Sequence, residues 1–135
     1  MEWKYVEPLK NPQVVKDFLE KQCVKLPDEV VSFIVQHNAG RPKVNRFDTD
    51  KSKECIFDGV FSYNVEDPEN IYNVYTGNLQ KTMQKKSLFP LGLNPSGDLI
   101  CIDIGDNNRI KLYRMENDEI ELIVNNIAEL ENKLY

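Results

Sequence analysis

The sequence predicts an α+β fold, with strands that pair through tight turns and helices grouped outside them. Three observations carry this. Apolar residues recur at helical spacing near the N-terminus, in the middle and at the C-terminal end. Strand formers gather in short runs divided by turn residues from Leu99 to Val124. No repeat, low-complexity tract or long linker interrupts the 135 residues, which are read as one domain over 1–135.

In chain order, Trp3, Tyr5 and Val6 alternate with polar neighbours, which suits a short strand or a packed arm. Asn11-Pro12 is a helix start, with Asn as N-cap and Pro at the first helical position. Val14, Val15, Phe18 and Leu19 follow at helical spacing, and this helix ends near Cys23. Leu26-Pro27-Asp28-Glu29 opens a second helix, whose acids suit the positive end of the dipole. Its Val30, Val31, Phe33, Ile34 and Val35 make it apolar on more than one side, so it should be buried. Asn38-Ala39-Gly40 closes it, with Gly40 expected in the left-handed conformation.

Arg41 to Lys53 is polar, with Val44 and Phe47 as strand anchors and Lys51-Ser52-Lys53 as an exposed turn. Cys55-Ile56-Phe57 and Val60-Phe61-Ser62-Tyr63 are strand-forming, and Asp58-Gly59 between them signals a hairpin or a bulge. Asp67-Pro68-Glu69 starts a helix in which Ile71, Tyr75, Leu79 and Met83 recur every four residues. Gly77 weakens that helix by about 1 kcal/mol, and Lys81, Lys85 and Lys86 suit its C-terminal end. Leu88-Phe89-Pro90-Leu91-Gly92 leaves it as an extended apolar segment. Leu99 to Ile104 is a nearly continuous apolar run, as in a central strand covered on both faces. Ile110 to Met115 and Glu119 to Val124 complete an antiparallel meander. Asn126 then begins a terminal helix with Ile127, Leu130 and Leu134 on one face.

The charge distribution narrows the partners. From Asp98 onward there are nine acids against four bases, so this segment carries the whole net charge of -5 and residues 1–97 balance. An acidic chain repels phosphate backbones, which disfavours direct nucleic-acid binding, whereas a basic protein partner is attracted and steered. The same acidity also serves simple solubility. No apolar run approaches the ~20 residues of a membrane span, and the N-terminus lacks a secretory signal layout. Cys23, Cys55 and Cys101 are odd in number, far apart and set in apolar segments, so they are expected as reduced, buried thiols in a cytoplasmic protein.

Candidate chemistry is sparse. His37, the lone histidine, sits at a helix end, where its cation would complement the dipole. Neither a Cys/His zinc spacing nor an activated cysteine is present. Asp98, Asp103 and Asp106 do not follow a calcium-loop pattern. Asp98 and Asp106 suit turns; Asp103, inside an apolar strand, needs a sheet edge or a partner such as Arg109. Phosphate-binding glycine loops and nucleophile elbows are missing. No catalytic residue, metal or cofactor is expected.

Three stretches together resemble the SUKH superfamily, also called Smi-one/Knr-four-like. They are Leu26-Pro27-Asp28-Glu29 through Asn38-Ala39-Gly40-Arg41-Pro42; Leu88-Phe89-Pro90-Leu91-Gly92 with Gly97-Asp98-Leu99-Ile100-Cys101-Ile102-Asp103; and Ile110-Lys111-Leu112-Tyr113 with the final helix. Ala39 stands where the usual glycine pair has its first member. The resemblance implies a central, mostly antiparallel sheet of about six strands flanked by helices. It also implies a bacterial, non-enzymatic immunity protein that binds and neutralises a cognate secreted toxin, often a nuclease. The other expectation is a regulatory scaffold domain binding an endogenous protein, as the fungal relatives imply. Leu26, Pro27, Gly40, Gly92, Gly97 and Asp103 read as scaffold. Asp106, Glu116, Asp118, Glu119 and Glu121 are the expected contacts to a basic partner, with Glu119 and Glu121 on one face of their strand.

Overall fold

The computed structural model describes residues 1–135. Its centre is a five-stranded antiparallel sheet in the order β5-β6-β7-β8-β9: Gly59–Val60, Leu88–Leu93, Leu99–Asp103, Arg109–Arg114 and Glu119–Val124. The fold is α+β as expected. The remaining strands form two ribbons, β1 (Trp3–Lys4) with β2 (Arg41–Pro42), and β3 (Arg46–Phe47) with β4 (Cys55–Ile56). Trp3 and Tyr5 therefore belong to a strand and its exit.

β7 holds the middle of the sheet, and all five of its residues are buried. That is the signature of a strand covered on both faces, here written by Leu99, Ile100, Cys101 and Ile102. β6 was expected only as an extended segment, yet it pairs with β7 along its whole length. Pro90 lacks the donor a ladder requires, and the register shift between Pro90 and Gly92 accommodates it. Gly92 has a separate reason: a Cβ there would lie 2.5 Å from the Gly59 carbonyl oxygen. The close approach of β5 to β6 needs that missing side chain.

The first two helices, α1 (Gln13–Lys21) and α2 (Asp28–Gln36), bury Val15, Phe18 and Leu19 and Val30, Val31, Phe33 and Ile34. Asn11 acts one step earlier than a standard cap, its Oδ1 accepting from the Gln13 N–H at 3.1 Å. Closure of α2 differs from expectation. Ala39 takes the left-handed conformation, with φ of 60°. Gly40 is instead needed for space, since a Cβ there would lie 2.9 Å from the His37 carbonyl and 3.0 Å from the Val6 methyl.

Asp58-Gly59 makes neither a hairpin nor a bulge. The chain crosses there from the β3–β4 ribbon to the edge of the main sheet, as Phe57 N donates to Asn45 O at 2.8 Å and Asp58 N to Leu93 O at 2.8 Å. The long middle helix is split into α3 (Ile71–Val74) and α4 (Gly77–Lys86). Asn70, not Asp67-Pro68, caps α3 by accepting from Asn73 N at 2.9 Å. Gly77 sits at φ +57° where the axis resets, so its cost falls at a junction and not inside a helix. Asn126 caps the terminal turn as expected, accepting from Glu129 N at 3.1 Å, and α5 (Leu130–Lys133) follows.

The buried hydrophobic residues form one contiguous cluster from Val15 to Leu134. Phe47 anchors β3 in it, whereas Val44 stays exposed. Cys55 and Cys101 are buried as expected, but Cys23 is exposed. The apolar stripe of α1 ends before it, and Cys23 takes a left-handed φ of 57° past the helix end, which turns it to solvent. No helix is long and apolar enough to cross a membrane.

Candidate functional site

The five expected contact residues fall into three environments. Glu116, Asp118 and Glu119 lie at the β8–β9 turn and are exposed. Glu116 and Glu119 have no cation paired with their carboxylates. Asp118, its side chain 61% exposed, pairs with Lys86 Nζ at 2.9 Å and accepts from the Tyr113 hydroxyl. These two partners hold the Asp118 carboxyl below its ordinary range, the hydroxyl contributing most. Burial and that carboxylate push the Tyr113 hydroxyl up to about 12. Asp106 lies in the β7–β8 connection, at the other end of β8, about 17–20 Å away along a strand of this length. It pairs with Arg109 Nη1 and Lys111 Nζ, each at 2.6 Å.

Glu121 is a correction. Its partner-facing role rested on strand alternation, but the side chain is only 4% exposed and is engaged internally. Arg114 Nε donates to Glu121 Oε2 at 2.9 Å, and Thr49 Oγ1 donates to Oε1 at 2.6 Å. Arg114 also donates to Asp98 Oδ2 at 3.1 Å and to Ser52 Oγ at 2.8 Å. Loop 49–52 thus covers the outer edge of β9, with Asp50 exchanging backbone and side-chain bonds with Leu122. A covered edge strand resists pairing with other chains, and a polar face buried under a loop cannot meet a partner.

A testable pH dependence follows from this network. Burial acts to raise the Glu121 carboxyl, but hydrogen bonds from Arg114, Thr49 and Ser52 outweigh it and hold the group at about 2, against an ordinary 4.5. A carboxyl depressed on folding adds stability that is fully present above its unfolded value and is lost as pH falls. The urea midpoint should therefore begin to decline below about pH 4.5 and keep falling toward pH 2. Glu121→Gln should be less stable at neutral pH, with its deficit shrinking across that same window. A deficit independent of pH would contradict this assignment.

Two further expectations change in detail. Asp103 is buried but its partner is Lys111, at 2.8 Å, and not Arg109. Arg109 faces Asp103 in the register, but its guanidinium reaches Asp106 and Asn125. His37 ends α2 as its C-cap residue, as expected, but its ring is packed among aromatic side chains. Its ring stacks on Trp3 at 4.2 Å and meets Phe33 edge-on at 4.5 Å, and burial lowers its pKa from 6.5, favouring the neutral form.

A second feature lies at the β5 edge. Tyr5, Glu7, Arg41, Asp67, Pro68 and Glu69 line an open groove of about 490 Å³. Its floor is tied together by Asn38, which is fully buried. Asn38 Nδ2 donates to Glu7 O at 2.9 Å and to Ser62 Oγ at 3.2 Å, while Oδ1 accepts from Tyr63 N at 2.7 Å. Ser62 Oγ in turn donates to Asp67 Oδ2. Nothing in the local sequence joins these residues. The one sequence signal was Asn38 itself, a polar residue at the end of an apolar helix.

The chain matches the SUKH_6 family model, described as SMI1-KNR4 cell-wall, over residues 16–130. The chain belongs to the SUKH superfamily. No curated protein and no solved structure matches it.

The SUKH signature positions explain themselves as scaffold in this geometry. Pro27 caps α2 without a side-chain bond, Gly40 and Gly92 permit close backbone approach, and Gly97 takes φ +88° in the β6–β7 turn. Asp103 fixes Lys111 beside Asp106. Asn38 adds a polar node that joins the N-terminal arm to the segment after β5.

Proposed function

We propose that this SUKH protein is an immunity protein that binds a cognate secreted toxin and neutralises it by covering a basic surface, of the kind a nuclease presents to its phosphate substrate. The observation that carries this reading is the β8–β9 turn, where Glu116 and Glu119 project without paired cations beside the half-neutralised Asp118. Carboxylates free of internal partners keep their charge for long-range steering and for contact with arginines or lysines of a partner. Asp106, already sharing Arg109 and Lys111, lies at the far end of β8 and contributes at most a peripheral contact. Glu121 supports the strand from inside. The action is binding without chemistry or cofactor, in the cytoplasm of the producing cell.

Coexpression tests this directly. The toxin encoded beside this gene should arrest a host when expressed alone, and this protein should restore growth and copurify with the toxin. Arrest that persists with both proteins present and folded would contradict the reading. A second reading, in keeping with the match to the SMI1-KNR4 cell-wall family, is a regulatory domain bound to an endogenous protein. A gene standing apart from any toxin, with a host protein recovered as its stable partner, would favour that one.

A further inference from the structure

We propose that the groove at the β5 edge is a second docking site, built to take an arginine side chain from an extended segment of a protein partner. Three carboxylate residues, Glu7, Asp67 and Glu69, line it against one guanidinium, Arg41. Arg41 is itself paired with Asp58 at 3.4 Å, so the groove keeps a negative surplus and favours a cation. Its volume of about 490 Å³ falls within the ~300–1,000 Å³ typical of ligand clefts. Tyr5 stands on the rim with 71% of its surface exposed. An exposed aromatic ring beside carboxylates offers a face for a planar cation to stack on while its nitrogens reach the acids. Arginine fits better than lysine because its fork binds carboxylates in pairs and stacks on aromatic faces.

The walls are held before any partner arrives. Asn38 ties Glu7 to Ser62, Ser62 ties to Asp67, and Ser62 N donates to Glu69 O at 3.0 Å. The backbone that carries these acids therefore needs little ordering on binding, which favours affinity. The site is distinct from the acidic turn. β5 and β9 are the two outer strands of a five-stranded sheet, about 19 Å apart at ordinary strand spacing. The proposal therefore stands or falls independently of the immunity reading.

The test is an amide NMR titration of the intact protein with acetyl-Gly-Arg-Gly-amide, alongside its uncharged citrulline counterpart. Saturable shifts are expected at Tyr5, Glu7, Ser62 and Glu69. Charge-assisted hydrogen bonds make the citrulline peptide at least about tenfold weaker. The side chains of Glu7 and Glu69 are exposed and hold nothing else in place, so Glu7→Gln with Glu69→Gln should fold and lose the shifts. Tyr5→Ala should weaken binding while leaving the spectrum of the sheet unchanged. Equal binding of both peptides, or shifts that are absent or spread equally over Glu116 to Glu119, would overturn the proposal.

Discussion

Arg114→Met lowers stability by about 3–5 kcal/mol, the cost of removing one partner from a buried charge cluster. Arg114 is the only cation reaching either Glu121 or Asp98, which are 3% and 7% exposed. Without it the two buried carboxylates that share its guanidinium are left with no counter-charge. They must then take up protons or draw in water, and the loop loses the bond from Arg114 to Ser52, keeping only its contacts through Thr49 and Asp50. Urea denaturation should show the midpoint falling with little change in slope, because the core surface buried is the same. Adding Glu121→Gln and Asp98→Asn to Arg114→Met should recover part of the loss, since the stranded charges are gone. A change below about 1 kcal/mol would place Arg114 among exposed pairs of small worth.

Phe89→Ala costs about 3–5 kcal/mol by leaving a cavity in the core. Phe89 is fully buried in β6 and packs against Phe18 at 6.5 Å and Tyr75 at 5.2 Å between ring centroids. It joins α1 and the end of α3 to the sheet, so the cavity would open between layers that have few other aromatic links. Phe89→Leu should cost less, because much of the volume is kept. Thermal and urea unfolding of the two variants would check the order. Equal losses for alanine and leucine would point to ring geometry, and not volume, as what matters there.

How much of this was legible in the chain depends on the range of the interaction. Period and turn chemistry identified α2, β7, β8, β9 and the terminal helix, since each is decided by its own apolar pattern. The errors lie where a distant neighbour decides. Gly59 reads locally as a hairpin residue, yet a Cβ there would lie 3.2 Å from Arg41 Cγ and 3.3 Å from the Gly40 carbonyl oxygen, neighbours supplied by another strand. Gly77 reads as a weak point inside a helix, but the helix is interrupted at Tyr75 and Thr76. Leu88 to Gly92 reads locally only as an extended apolar segment, and its pairing as β6 depends on β7 and on a register shift at Pro90.

The site divides in the same way. Counting charge located the acidic third but could not show which acids are neutralised inside the fold. Alternation placed Glu119 and Glu121 together, and only the covering loop separates their roles. The groove was invisible because residues 1–97 balance in sum. Folding brings Glu7, Asp67 and Glu69 to one place and engages the nearest guanidinium elsewhere. An average over a segment hides a local field.

The most direct test of the binding account is the affinity of Glu116→Lys with Glu119→Lys for the coexpressed toxin, measured across ionic strength. Both side chains are exposed and unpaired, so the fold should survive. The account predicts association weakened at least about tenfold at low salt, with the gap to the native protein closing as salt screens the surface. Native affinity with an unaltered salt dependence would show that these carboxylates do not face the partner.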